Sequence, residues 1–285
     1  MIPHFFAFGG VATLTLYWWK LYNQFVFDNV VILDTKILVF SLLGGILPAL
    51  LWLWFWLKED LKKPEPCNLI LLTFLSGMIM VPFAVHIEQV IFTIFTYIKT
   101  QLALTGYIIS PLISEYTLTG LWAFTEEILK YLAIYIVALK SKFFDEPIDA
   151  LIYLITGAIG FAALENSFFL MSSITDNGVL VGIMNLPLRF LGATLLHTIS
   201  SSTIGLAIAF SFYKKKRRGW CMLLGIVSAT MLHTVFNLLI IKTQTVFEML
   251  SIFAYYWIVI LVLIFLFEHV KSIKHRPLLD IIRKK

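Results

Sequence analysis

The sequence predicts an all-α, polytopic bundle of membrane-spanning helices. Three observations carry that prediction. Of 285 residues, 60% are hydrophobic and only 14% charged, whereas soluble domains are ~45–50% apolar and ~25% charged. Mean hydropathy is +0.89. The apolar residues run in long stretches rather than alternating, which selects helices over a β-barrel, because a helix satisfies its own backbone in lipid.

Taken in order, eight apolar runs are long enough to cross a bilayer: 3–19, 37–57, 67–96, 116–139, 148–172, 187–213, 219–241 and 246–269. The first lacks a basic leader and a small-residue cleavage site, so it reads as a retained span and not a signal peptide. The third is long, with Pro82 at its middle and His86 and Glu88 in its second half; it is expected to tilt, or to break at the proline. Lys and Arg are distributed unequally between alternate loops. One side holds sixteen, including Lys58, Lys62, Lys63, Lys140, Lys142, the run 214–218 and six after position 270; the other holds Lys20, Lys36, Lys99 and Lys242. The positive-inside rule then puts both termini in the cytoplasm. This placement accounts for the net charge of +5 without a nucleic-acid partner. Cys67 and Cys221 fall near the cytoplasmic ends of spans and are expected as free thiols. No loop is long enough for a soluble domain, so residues 1–285 form one membrane domain, with a catalytic core at 116–240 and a short basic cytoplasmic tail at 270–285.

Polar residues inside the spans are the functional signal, since a charge at mid-bilayer costs roughly 2.5–3.5 kcal/mol on insertion scales. The fourth span carries Glu126, Glu127 and Lys130, at helical spacings that let them pair. The fifth carries Glu165 and Asn166. The sixth carries Arg189 and His197, and the seventh His233 and Asn237, one turn apart on one face. At a 1.5 Å rise, Glu126 lies ~15 Å from the outer end of its span, Glu165 ~10 Å, His197 ~15 Å and His233 ~12 Å. Four helices therefore bring carboxylates and imidazoles to one layer in the outer half of the bilayer. A buried salt bridge explains Glu126, Glu127 and Lys130 alone, and interhelical hydrogen bonds explain one His or Asn alone. The whole set in one layer points to a site. Gly157, Gly160, Ala162 and Ala163, with Gly192 and Ala193, allow the helices to approach closely around it. Thr194–Ile199 and Thr230–Val235 resemble each other locally, as two similar settings for a histidine.

Two His and a carboxylate suit zinc with a position left for water. A buried Glu acting directly on water, with His and Asn holding the oxyanion, is the metal-free alternative. Both routes lead to amide hydrolysis. Ser200 and Ser201 have no evident carboxylate orienter, and no His-Glu-x-x-His motif occurs.

The pieces Glu126-Glu127-Ile128-Leu129-Lys130, Phe144 to Ala150, Gly160 to Asn166, Arg189 to His197 and His233 to Asn237, in that order, resemble the PrsW family of intramembrane proteases, distant relatives of the type II CAAX prenyl endopeptidases. The resemblance covers roughly residues 116–240. It implies an intramembrane endopeptidase of the cell membrane that cuts a single-span, anti-sigma-factor-like protein on its extracytoplasmic side. By resemblance Glu126, Glu127, His197 and His233 are the catalytic set, supported by Asn237. The resemblance does not decide the metal; on the chemistry of two His with a carboxylate, Glu127, His197 and His233 would hold a zinc if one is used. Lys130, Glu165, Asn166 and Arg189 are expected to support the site or the substrate. Asp145, Glu146 and Asp149 match the family but lie at the cytoplasmic end, where loop solvation and helix capping explain them. The competing readings are a proton- or ion-coupled transporter and a non-catalytic membrane binder. A transporter is expected to show long internal repeats and paired broken helices, and the sequence has neither.

Overall fold

A computed structural model describes residues 35–58 and 63–273 of the chain. The predicted span at 3–19 and most of the basic tail lie outside the described residues. Among these the chain is helical: α1 (Thr35–Leu57), α2 (Cys67–Leu104), α3 (Pro111–Ile134), α4 (Asp149–Asn177), α5 (Val179–Leu191), α6 (Ala193–Phe210), α7 (Lys215–Lys242) and α8 (Val246–Lys271). By length and composition α1, α2, α4, the α5–α6 pair, α7 and α8 are each able to cross a membrane. The charged exception is α3, which holds Glu126, Glu127 and Lys130 inside its length. The chain is a polytopic helical membrane protein.

Local sequence explains the helix ends. Ser110 caps α3, its Oγ accepting from the Ile113 amide at 3.2 Å, and Pro111 occupies the first turn, where no amide donor is needed. Thr245 caps α8 in the same way through the Glu248 amide. Before α4, Asp149 Oδ2 accepts from the amides of Asp145 and Glu146 at 2.8 and 2.6 Å, while Lys63 pairs with both acids across the surface. These acids hold the turn that aims α4.

The core is built on α4. Of its apolar stretch 78% is buried, against 28–33% in the other candidate crossings. It packs against α1, α2, α5 and α6, and small residues make that possible. A Cβ on Gly160 would stand 2.0 Å from the Phe74 carbonyl oxygen, and one on Gly77 would stand 1.9 Å from that of Gly157. The α2 and α4 backbones therefore touch, as in small-residue membrane interfaces. Trp56, Tyr153 and Phe267 are among the bundle's largest fully buried side chains.

Two elements differ from their sequence reading. First, α2 runs unbroken through Pro82 for 38 residues and ends at Leu104, beyond the expected 96. At 1.5 Å per residue it is about 57 Å long, well over the ~30 Å hydrocarbon core. Second, the predicted span 187–213 is two helices that meet at Gly192 (φ −108°, ψ −73°), and the first begins at Val179. Pro187 lacks an amide donor, and a Cβ on Gly192 would come within 2.4 Å of the Phe253 ring. Only glycine permits the bend against that ring.

Replacing Gly160 by Val is expected to force α2 from α4, at the upper end of the ~1–3 kcal/mol typical of overpacking or beyond it, because the obstacle is backbone. Thermal unfolding in detergent should show a clear loss for Gly160→Val and none for Gly219→Ala, whose Cβ would meet nothing within 4 Å. Equal melting of both variants would mean that close α2–α4 packing does not hold the bundle.

Candidate active site

Glu126, Glu127 and Lys130 lie on the buried face of α3, and Glu127 and Lys130 have no exposed surface. Lys130 Nζ donates to Glu127 Oε1 at 2.6 Å. The Glu127 carboxylate also accepts from His233 Nδ1 at 2.9 Å, Ser200 Oγ at 2.9 Å and Ser201 Oγ at 3.3 Å. One carboxylate thus gathers donors from α3, α6 and α7. The two serines, for which the sequence showed no carboxylate partner, face this one because α6 packs its Ser200–Ser201 turn towards α3. Their only sequence signal is the helical spacing of three and four residues from His197.

The second carboxylate–histidine pair is Glu165–His197. His197 Nε2 donates to Glu165 Oε2 at 2.6 Å, and Arg189 meets Glu165 Oε1 at 2.8 Å. Arg189 Nε also donates to Asn166 Oδ1 at 2.8 Å, and Asn166 Nδ2 to Thr194 Oγ1 at 3.0 Å. Arg189 lies in the last turn of α5, just before the Gly192 junction. Phe161 lies tilted beside His197, with ring centroids 5.4 Å apart, and 5.0 Å from Lys130 Nζ, closing the apolar side.

Each histidine is therefore held through one ring nitrogen by a carboxylate, which leaves a lone pair on the other. The two rings sit 5.1 Å apart, edge to face. Their remaining nitrogens, His197 Nδ1 and His233 Nε2, each lie 3.8 Å from the same atom, Glu126 Oε2. That oxygen is buried and has no hydrogen-bond partner. Donor atoms of Glu126, His197 and His233 all fall within 4.8 Å of one another. An orphaned carboxylate oxygen facing two imidazole lone pairs fits a divalent metal, and two His with one Glu is a catalytic zinc donor set. Lys130 Nζ donates to His197 Nδ1 at 3.0 Å, a bond that must yield for His197 to bind an ion.

Most residues singled out in the sequence meet here: Glu126, Glu127, Lys130, Glu165, Asn166, Arg189, His197 and His233. The donor set differs from the expected one in its carboxylate. Glu126 converges with the two histidines, whereas Glu127 is occupied by its four donors. Asn237, one turn beyond His233, is half-buried and makes no hydrogen bond among the described residues.

Comparisons with known proteins agree with this arrangement. The chain is 27% identical over 207 residues to Protease PrsW of Geobacillus kaustophilus, covering 72% of this chain and 82% of that protein. It is 26% identical over 209 residues to Protease PrsW of Halalkalibacterium halodurans, covering 71% and 85%. With Protease PrsW of Bacillus subtilis the identity is 24% over 216 residues, covering 75% and 89%. No solved structure matches the chain. A family model described as PrsW family intramembrane metalloprotease matches residues 65–267, most of the chain and all of the site, and the chain belongs to that family.

Proposed function

We propose that the protein is a zinc-dependent intramembrane endopeptidase of the plasma membrane. It hydrolyses a peptide bond of a single-span membrane protein, of the anti-sigma-factor kind, in the outer half of the bilayer. The observation that carries this reading is Glu126 Oε2, buried and unpartnered, at 3.8 Å from His197 Nδ1 and from His233 Nε2, the ring nitrogens that the carboxylates behind them leave over. Membership in a protease family sets the transporter reading aside.

In this reading Glu126, His197 and His233 hold the zinc, which when bound supplies a Lewis acid for the scissile carbonyl and the attacking water. Glu127 fixes the proton of His233 on Nδ1 and balances the charge of Lys130. Glu165, itself held by Arg189, fixes the proton of His197 on Nε2. Carboxylates behind ligating histidines orient the ring and raise its basicity. Phe161 and the packed face of α4 keep lipid out on one side. Burial of the cluster strengthens each of these interactions relative to water. Both termini are assigned to the cytoplasm, on the sixteen basic residues of one side against four of the other.

With purified protein and a tagged single-span substrate, Glu126→Gln, His197→Ala and His233→Ala should each lower cleavage by at least ~10²-fold and lose bound metal, while Glu165→Gln should cost ~10–100-fold. Full cleavage after stringent chelation, with no metal detected, would remove zinc from the reading. A double variant Glu126→Gln, His233→Ala that cleaves like the wild type would remove the protease site itself.

Breaking the buried ion pair should be costly. Glu127→Gln is expected to destabilise the protein by about 3–5 kcal/mol, the usual result of stranding one buried charge. Adding Lys130→Met should recover part of that loss in thermal unfolding. Failure of the second change to recover any stability would mean that the two side chains are not energetically coupled. For orientation, reporter fusions after Lys63 and after Arg218 should give cytoplasmic signals, and an exterior signal at either overturns the assigned topology.

A further inference from the structure

The site leaves one chemical role without a residue. Peptide hydrolysis is helped by a group free to take a proton from water and hand it to the leaving amine, and a carboxylate is one side chain suited to it. Glu126 points its free oxygen at the metal donors. Glu127 is held by four donors, three of them on Oε1, and Glu165 faces His197 and Arg189. A fourth carboxyl lies in the same region. Glu88 of α2 is only 5% exposed, and its carboxyl makes no hydrogen bond and no ion pair among the described residues.

Packing places Glu88 against the site. Val81, Ala84 and Glu88 recur at helical spacing on one face of α2. Val81 and Ala84 pack with Phe161, Leu164 and Phe168 of α4 and with Leu129 of α3. Phe161 is the ring beside His197 and Lys130, and Glu165 follows Leu164 directly. One turn beyond Ala84, Trp122 Nε1 donates to the Glu88 carbonyl oxygen at 3.3 Å. Trp122 and Glu126 are four residues apart on α3, so α2 crosses α3 at Glu88 one turn from the metal donors. Glu88 is near enough for the charges of Glu165 and Lys130 to act on it, and for its own to act on Glu126.

We propose that Glu88 is a catalytic residue, the proton carrier of the site, facing the water across from Glu126. The inference rests on the protease reading above. As the water oxygen bonds to the scissile carbonyl carbon, one water proton passes to the Glu88 carboxylate. When the carbon–nitrogen bond breaks, that proton goes to the departing nitrogen. The products are a carboxylic acid and an amine, and Glu88 returns to its carboxylate form.

The test compares wild type, Glu88→Gln and Glu88→Asp, purified with zinc, on the same tagged single-span substrate. Glu88→Gln keeps the shape and is expected to retain wild-type zinc content, thermal unfolding and substrate capture, while cleavage falls ~10²–10⁴-fold. Glu88→Asp should keep part of the activity, since it retains the group at shorter reach. Three results overturn the proposal. Wild-type cleavage by Glu88→Gln, with loss confined to Glu126→Gln, makes Glu126 the proton acceptor. Loss of zinc from Glu88→Gln makes Glu88 a ligand. Equal losses of activity and of thermal stability in both Glu88 variants make it structural. In each case the wild type still cleaves, whereas a wild type that does not cleave sinks the protease reading and this inference with it.

Discussion

The Glu127 carboxylate is the constraint on which the rest of the site depends. It has no exposed surface, and it collects Lys130 from its own helix, Ser200 and Ser201 from α6 and His233 from α7. A bare carboxylate at this depth would be expelled or neutralised. Four donors remove that penalty, and in doing so they lock three helices at one level. The ion pair with Lys130 comes almost free of chain entropy, because residues three apart on a helix already face each other. Removing either charge strands the other. Both histidine lone pairs inherit their direction from this arrangement: His233 through Glu127 itself, and His197 through Lys130 on one ring nitrogen and Glu165 on the other.

Helix packing supplies what the ion pair cannot. Glu165 and Phe161 reach the layer because α4 runs through the centre of the bundle, and α4 is central because its glycines let neighbouring backbones touch it. The bend at Gly192 has a similar effect at the other side of the site. Arg189, three residues before the junction, meets Glu165 and Asn166. The polar cluster is thus enclosed by elements whose own sequences are almost entirely apolar, and the low local dielectric strengthens every charge interaction inside.

By itself the sequence determined the class, the helices and most of the members of the site. Apolar runs of span length, and the placing of Glu126, Glu165, His197 and His233 inside them, follow from the chain alone, since a helix has one geometry whatever surrounds it. The motifs from Glu126 to Asn237 carried the family in the same way. Only the tertiary structure decided which carboxylate meets the histidines. Glu126 and Glu127 are adjacent in the chain but point about 100° apart around α3, and which of them α6 and α7 saturate depends on how those helices rotate against it. The same holds for Ser200 and Ser201. Each is an ordinary residue in an apolar helix until packing assigns its face to the site, because rotation about a helix axis is set by contacts far apart in the chain.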